Sequence, residues 1–284
     1  MSNLPCEILD HIVDLLHGSQ IPLRNCCLVS KSWVPRTRIH LFAEIHFQTP
    51  GNLQSWKMTF RDPSTSPACY TKGLFIGPEA LADTYGYAND WRWDFSRVVR
   101  LELVGQVPFG PGWRYACTLL RGFSPVIKSL RVDFYASNVY PSSDLFDFIL
   151  SFPLLEDLSV TYNRRELDGG DPGGLLTVVR PSGLRTFTGS LCFLLGRGTG
   201  SCIRWVLSLP GGIHFRKLTL EWYREEDSSL TMALVEKCSH TLESLDILDG
   251  NPYGTSTGNP MHPHGSDFFF QPIPSWPRLT SRNQ

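Results

Sequence analysis

Several features are scarce or missing in this sequence of 284 residues, and each absence excludes a class of protein. No stretch approaches the ~18 apolar residues that a membrane-spanning helix requires. Basic residues are not in excess, because 26 Lys and Arg stand against 27 Asp and Glu. The eight cysteines contain no C-x-x-C pair, which excludes a zinc knuckle and a dithiol redox motif. We therefore expect no membrane, nucleic-acid, metal or cofactor partner.

The N-terminal segment does not have the composition of a secretory signal. Glu7, Asp10 and Asp14 interrupt the stretch that would have to be its apolar core. We therefore expect the cysteines to be reduced, in a protein of the cytoplasm, the nucleus or both. With 284 residues, of which 42% are hydrophobic, the chain can form one or two domains with a sizeable core.

An internal repeat is the most informative pattern in the chain. The motif apolar-x-x-apolar-x-apolar occurs six times, although Gly189 fills the last position of the fourth copy. Its central residues, at intervals of 27 to 31, are Leu101, Leu130, Leu158, Phe187, Leu218 and Leu245. Apolar and polar residues alternate in each copy, as in a short strand with one buried face. Leu74 and Ile76 lie 27 residues before Leu101 and Leu103 and indicate a degenerate first copy.

Segments with helical spacing lie between these predicted strands. In one of them, Leu145, Phe148, Ile149 and Phe152 fall on a single apolar stripe. Strands and helices that alternate at a nearly constant interval predict an α/β protein with a curved solenoid, its parallel strands inside and its helices outside. A doubly wound α/β domain is the alternative. The strand motif resembles that of leucine-rich repeats of the strand-plus-helix kind, although the usual Asn or Cys after the strand is mostly missing.

The first 47 residues carry a different pattern. Apolar residues at helical spacing predict an amphipathic helix near residues 4–17 and a second helical segment after Pro22. The segments concerned read Leu4-Pro5-Cys6-Glu7-Ile8-Leu9 and Leu23-x-x-Cys26-Cys27-Leu28-Val29-Ser30-Lys31-Ser32-Trp33. They match every signature position of the F-box, which this region resembles.

The resemblance implies a three-helix F-box module that docks onto the Skp adaptor of cullin–RING ubiquitin ligases. An F-box followed by leucine-rich repeats is a known arrangement in that family. By position, the residues that the resemblance assigns to the adaptor contact are Leu4, Pro5, Ile8, Leu9, Ile12, Leu23, Val29 and Trp33. The alternative is a helical cap that covers the first strand of the solenoid.

Four regions follow from these patterns. They are the F-box at 1–47, a linker with the degenerate first repeat at 48–95, the leucine-rich-repeat-like solenoid at 96–249, and a tail at 250–284. The tail contains ten Gly and Pro and loses the repeat, so we predict that it is disordered.

One catalytic motif needs a physical test. Gly254-Thr-Ser256-Thr-Gly258 matches the G-x-S-x-G pattern of α/β hydrolases. The nucleophile of such an enzyme precedes a helix, which Pro260 and Pro263 would prevent here. We therefore expect no catalytic residue in this chain.

The function predicted from the sequence is that of a substrate-recognition subunit of an SCF-type E3 ubiquitin ligase. Polar residues between the core positions of each strand would form a row that contacts a target protein. The predicted target-binding residues are Arg100, Glu102, Arg131, Asp133, Asp157, Thr161, Lys217 and Glu221, and Ser159, Thr219, Ser244 and Asp246 lie in the same row. Their mixed charge favours a protein target over a nucleic acid. The alternatives are an F-box scaffold outside a ligase and the hydrolase.

Overall fold

The computed structural model describes most of the chain before residue 250. The described residues are 5–62, 66–77, 80, 95–105, 120, 126–134, 143–162, 187–195, 199–209, 211–222 and 225–249. The chain divides into two units, Met1–Asn251 and Pro252–Gln284. Leu4, the Ser256 motif and the predicted disorder of residues 250–284 lie outside the described residues.

Seven α-helices lie within the described residues. They are α1 (Cys6–Leu15), α2 (Gln20–Val29), α3 (Val34–Leu41), α4 (Pro50–Thr59), α5 (Ser143–Leu150), α6 (Thr199–Leu207) and α7 (Glu225–Cys238). A short 3-10 helix spans Pro67–Tyr70. Across these described parts, no helix is both long enough and apolar enough to cross a membrane.

Eight strands form one sheet. They are β1 (Glu44–Phe47), β2 (Gly73–Ile76), β3 (Arg100–Gly105), β4 (Ser129–Phe134), β5 (Asp157–Tyr162), β6 (Ser190–Leu194), β7 (Lys217–Trp222) and β8 (Ser244–Asp249). Each strand pairs in parallel with the next along the chain, so the order in the sheet is the order in the sequence. The predicted α/β class is confirmed. The doubly wound alternative does not fit, because such a sheet reverses its strand order at a switch point.

Two ladders of apolar side chains run across the sheet. The register aligns Ile45, Leu74, Leu101, Leu130, Leu158, Leu191, Leu218 and Leu245 in the first ladder. The second ladder consists of Phe47, Ile76, Leu103, Val132, Val160, Phe193, Leu220 and Ile247. From β1 to β7 every ladder residue is buried. Leu245 and Ile247 on β8 are more exposed because that strand pairs only with β7 in the described part of the chain.

Helices α5, α6 and α7 bury their apolar residues in the same core cluster as the ladders. The stripe predicted on and after α5 is confirmed, since Leu145, Phe148, Ile149 and Phe152 are all buried. Phe146 of α5 stacks on Trp205 of α6, with their ring centroids 4.4 Å apart. These helices therefore cover the face of the sheet that carries the ladders.

The fourth copy of the repeat is not where the sequence pattern predicted it. The ladder residues of β6 are Leu191 and Phe193, whereas Phe187 forms an isolated bridge with Ile213. Gly189 therefore does not occupy a ladder position. A Cβ at Gly189 would lie only 2.3 Å from Oδ1 of Asp157 and 2.7 Å from the carbonyl oxygen of Glu156. The close approach of Glu156 and Asp157 therefore leaves room only for glycine at this position.

Two findings concern the start of the sheet. Leu74 and Ile76, where a degenerate first copy was predicted, lie on strand β2 and pair in register with Leu101 and Leu103. Residues 44–47, which the sequence analysis included in the helical module, form the first strand β1. The boundary predicted at residue 47 thus coincides with the end of a strand that belongs to the sheet.

The ladder accounts for a measurable share of stability. Leu158 lies in the middle of the first ladder and is buried. We expect Leu158→Ala to lower the free energy of unfolding by about 2–5 kcal/mol, because it removes apolar contacts and leaves a cavity. Urea denaturation followed by circular dichroism measures this change.

The matched control is Leu154→Ala, a change of the same residue type four positions away. Leu154 is 49% exposed, so we expect a loss of less than about 0.5 kcal/mol. Equal losses for the two variants would contradict the assignment of Leu158 to the core.

Candidate functional site

Helices α1, α2 and α3 pack as a small unit with an apolar surface. Helix α3 contacts both α1 and α2, and the interior of the unit contains Val13, Leu23 and Cys26. The side chains that these helices leave exposed are Ile8, Ile12, Leu15, Ile21, Leu28 and Val29, and we call them the N-terminal apolar surface. Ile8, Ile12 and Leu15 are four and three residues apart, which places them on one face of α1.

The residues predicted to contact an adaptor fall into three groups. Pro5, Ile8, Ile12 and Val29 are exposed, with Ile8 at 47% and Ile12 at 37%. Leu9 and Trp33 are half-buried. Leu23 is only 1% exposed, so it supports the surface from within and does not form part of it. Leu4 lies outside the described residues.

Sequence reasoning missed three members of this surface. Leu15, Ile21 and Leu28 are among the most exposed large apolar residues in the described chain. Leu15 and Leu28 were recognised as apolar residues of predicted helices. Helical spacing alone does not say whether another part of the chain covers the helix face on which they lie. Large exposed apolar patches are typical of protein interaction sites, and on α1 the exposed apolar residues share one face.

A charged cluster fixes α1 against α3. The guanidinium of Arg36 donates through Nε and Nη2 to the two carboxylate oxygens of Asp14, at 2.6 and 2.5 Å. His40 Nε2 lies 2.7 Å from Oδ1 of Asp14 and donates to it, because a carboxylate can only accept. The two bonds from Arg36 constrain both distance and orientation. The cluster therefore holds α1 in the position that exposes Ile8 and Ile12.

This cluster perturbs the titration of Asp14. Hydrogen bonds from Arg36 and then from His40 hold the pKa of the Asp14 carboxyl far below its usual range. The same contact raises the pKa of Arg36. Both groups are therefore charged at neutral pH, and the ion pair is fully formed there.

The face of the sheet opposite the ladders is polar, and we call it the open face. Its residues alternate with the ladder residues along each strand. One aligned row across the eight strands reads His46, Phe75, Glu102, Arg131, Ser159, Cys192, Thr219 and Asp246. Every member of this row is exposed or half-buried. All eight predicted target-binding residues lie on the open face, because their positions have the same parity along the strands.

The exposure of the predicted target-binding residues is uneven. Arg100, Arg131 and Lys217 are exposed, whereas Glu102, Asp157, Thr161 and Glu221 are half-buried. Asp133 is a correction, because it is buried, with only 8% of its surface exposed. Its Oδ2 accepts from Nε of Arg131 at 2.9 Å, while its buried Oδ1 has no hydrogen-bond partner.

Ion pairs organise the first half of the open face. Nη2 of Arg100 donates to Glu44 at 2.5 Å, and Nε of Arg100 lies 3.5 Å from Glu102. Arg100 lies over Gly73, where a Cβ would come within 3.1 Å of Nη2. The sequence analysis missed Glu44 and His46 because it placed them in the helical module. It also missed Cys192, because it placed the fourth strand too early.

In the second half, the carboxylate of Asp157 on β5 holds the neighbouring strand β6. Oδ1 of Asp157 accepts from the backbone N–H and the hydroxyl of Ser190, at 2.7 and 2.9 Å. Burial raises the pKa of the Cys192 thiol, so this sulfur is not activated as a nucleophile. Among the described residues, no group of three His, Cys, Asp or Glu side chains could hold a metal ion. The described side chains of the open face offer charges and hydrogen-bonding groups.

The Asp14 cluster predicts an acid-sensitive contribution to stability. We expect Asp14→Asn to lower the melting temperature at pH 7, because it removes the charge that binds Arg36 and His40. The pKa of Asp14 is depressed in the folded state. The cluster therefore stabilises the fold above about pH 3.9, which is the pKa of an aspartate in an unfolded chain, and this stabilisation is lost as the pH falls below that value. The difference in melting temperature between the two proteins should therefore shrink from pH 7 towards pH 3.

Glu7→Gln is the matched control, since Glu7 is an exposed carboxylate on the same helix. Calorimetric melting at both pH values should show little effect of this change at either pH. A difference for Asp14→Asn that stays constant with pH would contradict the assigned role of the carboxylate.

Comparisons with known proteins do not assign this chain to a family. No protein-family model matches it. No curated protein and no solved structure matches it either. Its function is therefore argued from the two surfaces described above, the N-terminal apolar surface and the open face of the sheet.

Proposed function

We propose that this chain is the substrate-recognition subunit of an SCF-type E3 ubiquitin ligase. In this proposal α1, α2 and α3 form an F-box that binds the Skp adaptor of a cullin–RING ligase. The sheet with its helices is a leucine-rich-repeat-like solenoid, and its open face binds the protein to be ubiquitinated. The chain itself makes and breaks no bonds.

The N-terminal apolar surface is the observation that carries the proposal. Pro5, Ile8 and Val29 occupy positions of the F-box signature, and Ile12 belongs to the same predicted adaptor contact. All four are exposed in the folded chain. Leaving Ile8 and Ile12 in water is unfavourable, at about 25 cal/mol per Å² of apolar surface. A partner protein that covers them gains that free energy. The helical-cap alternative would bury these same side chains against the sheet.

The regularity of the sheet supports the repeat assignment. Consecutive strands pair in parallel without a change of order, and the ladders keep one register across them. Repeat architectures stack each unit on the previous one, so that neighbouring units bury a continuous core. The ladders and the helices that cover them share one cluster of buried residues, which is compatible with such stacking.

The proposed mechanism is tethering. The N-terminal apolar surface would hold the adaptor. Through the adaptor it would hold the rest of the ligase, which brings the ubiquitin-conjugating enzyme loaded with ubiquitin. The open face would hold the target. Because both would be bound to one folded body, the effective concentration of target lysines near the enzyme rises.

The mutational test uses residues that are exposed and apolar. We expect Ile8→Asp and Ile12→Asp each to reduce co-purification of the Skp adaptor with the full chain by at least about tenfold, because a buried, unpaired carboxylate at an apolar interface costs more than 1.4 kcal/mol. Affinity purification after co-expression measures the retained adaptor. Circular dichroism melting checks that the variants remain folded.

Met232→Asp is the matched control. Met232 is 58% exposed and lies on α7, away from the three N-terminal helices. This variant should retain the adaptor. Failure of the unchanged chain to co-purify with the adaptor would overturn the proposal, and so would full binding by both Asp variants of α1.

A ligase subunit and a scaffold that only binds the adaptor are separated by two further measurements. A ligase subunit brings cullin into the same immunoprecipitate, and its depletion makes its targets accumulate. Adaptor binding without cullin would favour the F-box scaffold.

A further inference from the structure

The N-terminal helices are joined to the sheet by a very short segment of chain. Only Phe42 and Ala43 lie between the end of α3 and the start of β1. The carbonyl oxygen of Ala43 accepts from the backbone N–H groups of Lys72 and Gly73, at 2.8 and 2.9 Å. The chain is therefore already hydrogen-bonded to the start of β2 before β1 begins, and this segment has no free length that could act as a hinge.

The ring of Phe42, at the end of α3, connects that helix to the sheet through α4. It meets the rings of Trp56 and Phe60 edge to face, with centroid distances of 6.0 and 6.3 Å. Trp56 packs against the core of the sheet and meets Phe47 of β1 edge to face at 5.8 Å. Aromatic pairs of this geometry are favourable beyond the area that they bury. We call the contacts of Phe42 with Trp56 and Phe60 the aromatic joint.

Helix α3 connects the other two N-terminal helices to the rest of the chain. It contacts α1, α2 and the 3-10 helix Pro67–Tyr70 that precedes β2. Thr37, in the middle of α3, is fully buried. The bidentate pair of Arg36 with Asp14 holds α1 to α3. A rotation of α3 relative to the sheet would therefore move the N-terminal apolar surface and break the contacts of Phe42.

We propose that Phe42 is a positioning residue that fixes the orientation of the N-terminal apolar surface relative to the open face of the sheet. The short backbone between α3 and β1 limits the distance between the two surfaces, and the aromatic joint limits their rotation. Phe42 is half-buried and does not belong to the predicted adaptor contact. Removal of its ring should therefore change the orientation and leave both surfaces intact.

This inference rests on the proposed function, because orientation matters to a subunit that must bring a lysine to an enzyme. With a rigid joint, only lysines within one zone are held near the loaded ubiquitin-conjugating enzyme. Holding reacting groups in a fixed geometry speeds their reaction, and a small misplacement slows it. The aromatic joint would therefore decide which lysines are modified, while the open face decides which protein is bound.

The first experiment measures this orientation in the full chain in solution. Residual dipolar couplings of backbone N–H groups report the direction of each bond, so elements that move as one body share one alignment tensor. We expect a single tensor to fit the couplings of α1, α2 and α3 together with those of the sheet. In Phe42→Ala the aromatic joint is lost, and we expect the three helices to align more weakly than the sheet.

Three further variants separate the role of the ring from general stability. Phe42→Leu keeps an apolar side chain without a ring, so it tests the joint even if Phe42→Ala does not fold, and it should show the same weaker alignment. Phe42→Tyr keeps the ring and should retain the single tensor. Met58→Ala is the matched control on α4, because Met58 is 61% exposed, and it should also retain the single tensor. Two tensors for the unchanged chain, or one tensor for both Phe42→Ala and Phe42→Leu, would overturn the proposal.

The second experiment identifies the lysines that receive ubiquitin. The full chain is assembled with the Skp adaptor, cullin, the RING subunit and a ubiquitin-conjugating enzyme, and its own lysines serve as the probe. We expect mass spectrometry of the unchanged chain to show modification of only some of the lysines outside the N-terminal helices, which are Lys57, Lys72, Lys128, Lys217 and Lys237. In Phe42→Ala the modification should spread to further members of this set, whereas Met58→Ala should keep the original pattern. An identical pattern in Phe42→Ala and the unchanged chain would contradict the positioning role.

Adaptor co-purification, measured on the same variants, separates this inference from the proposed function. If Phe42→Ala retains the adaptor but changes neither the dipolar couplings nor the lysine pattern, only the positioning role is wrong. If the unchanged chain does not bind the adaptor while the couplings of Phe42→Ala change as expected, the proposed function fails and the aromatic joint stands.

Discussion

The two apolar ladders are the constraint on which the rest of the structure depends. Parallel pairing in a single register places one residue of each strand beside its counterpart on the next. Because side chains alternate between the faces of a strand, a strand that slipped by one residue would bring its polar residues into the core. The register that buries the ladders therefore also aligns the residues of the open face. The polar row is a consequence of the core.

Within the described parts of the chain, helices reinforce this arrangement on the face of the sheet that carries the ladders. Those of the second half of the chain place Phe148, Trp205 and Leu234 against the ladders, and the opposite face is left to polar residues. Charged residues there are held by contacts between strands, such as Arg100 with Glu44 and Asp157 with Ser190. Such exposed pairs contribute little to stability. Their effect is to keep charged groups in defined positions across the sheet.

The three N-terminal helices follow a different principle. Their interior is small, and Val13, Leu23 and Cys26 account for its buried apolar residues. With so small a core, a polar contact is needed to define the angle between helices. The bidentate pair of Asp14 and Arg36 provides it. Apolar residues that do not fit inside this unit remain exposed on its surface.

Sequence reasoning succeeded where the pattern was local and failed where a distant residue decided. The repeat interval of 27 residues indicated the position of β2, and helical spacing identified the buried stripe of α5. The same reasoning misplaced β6, because Phe187 satisfies the motif and only the proximity of Asp157 explains Gly189. It also assigned Ile45 and Phe47 to the helical module. Ile45 and Phe47 alternate with Glu44 and His46 in the sequence, as in a strand. They were nevertheless assigned to the helical module because the F-box motif precedes them.

What the sequence alone determined is the α/β class, the approximate interval between strands and, on β3, β4, β5, β7 and β8, the identity of the residues that face away from the core, since all three follow from periodicity along the chain. Only the tertiary structure decided which of those residues are accessible. Asp133 was expected at the surface and is buried, while Leu15, Ile21 and Leu28 were assigned no role and are exposed. The physical reason is that periodicity selects a face of an element. What lies against that face depends on chain segments far away in the sequence.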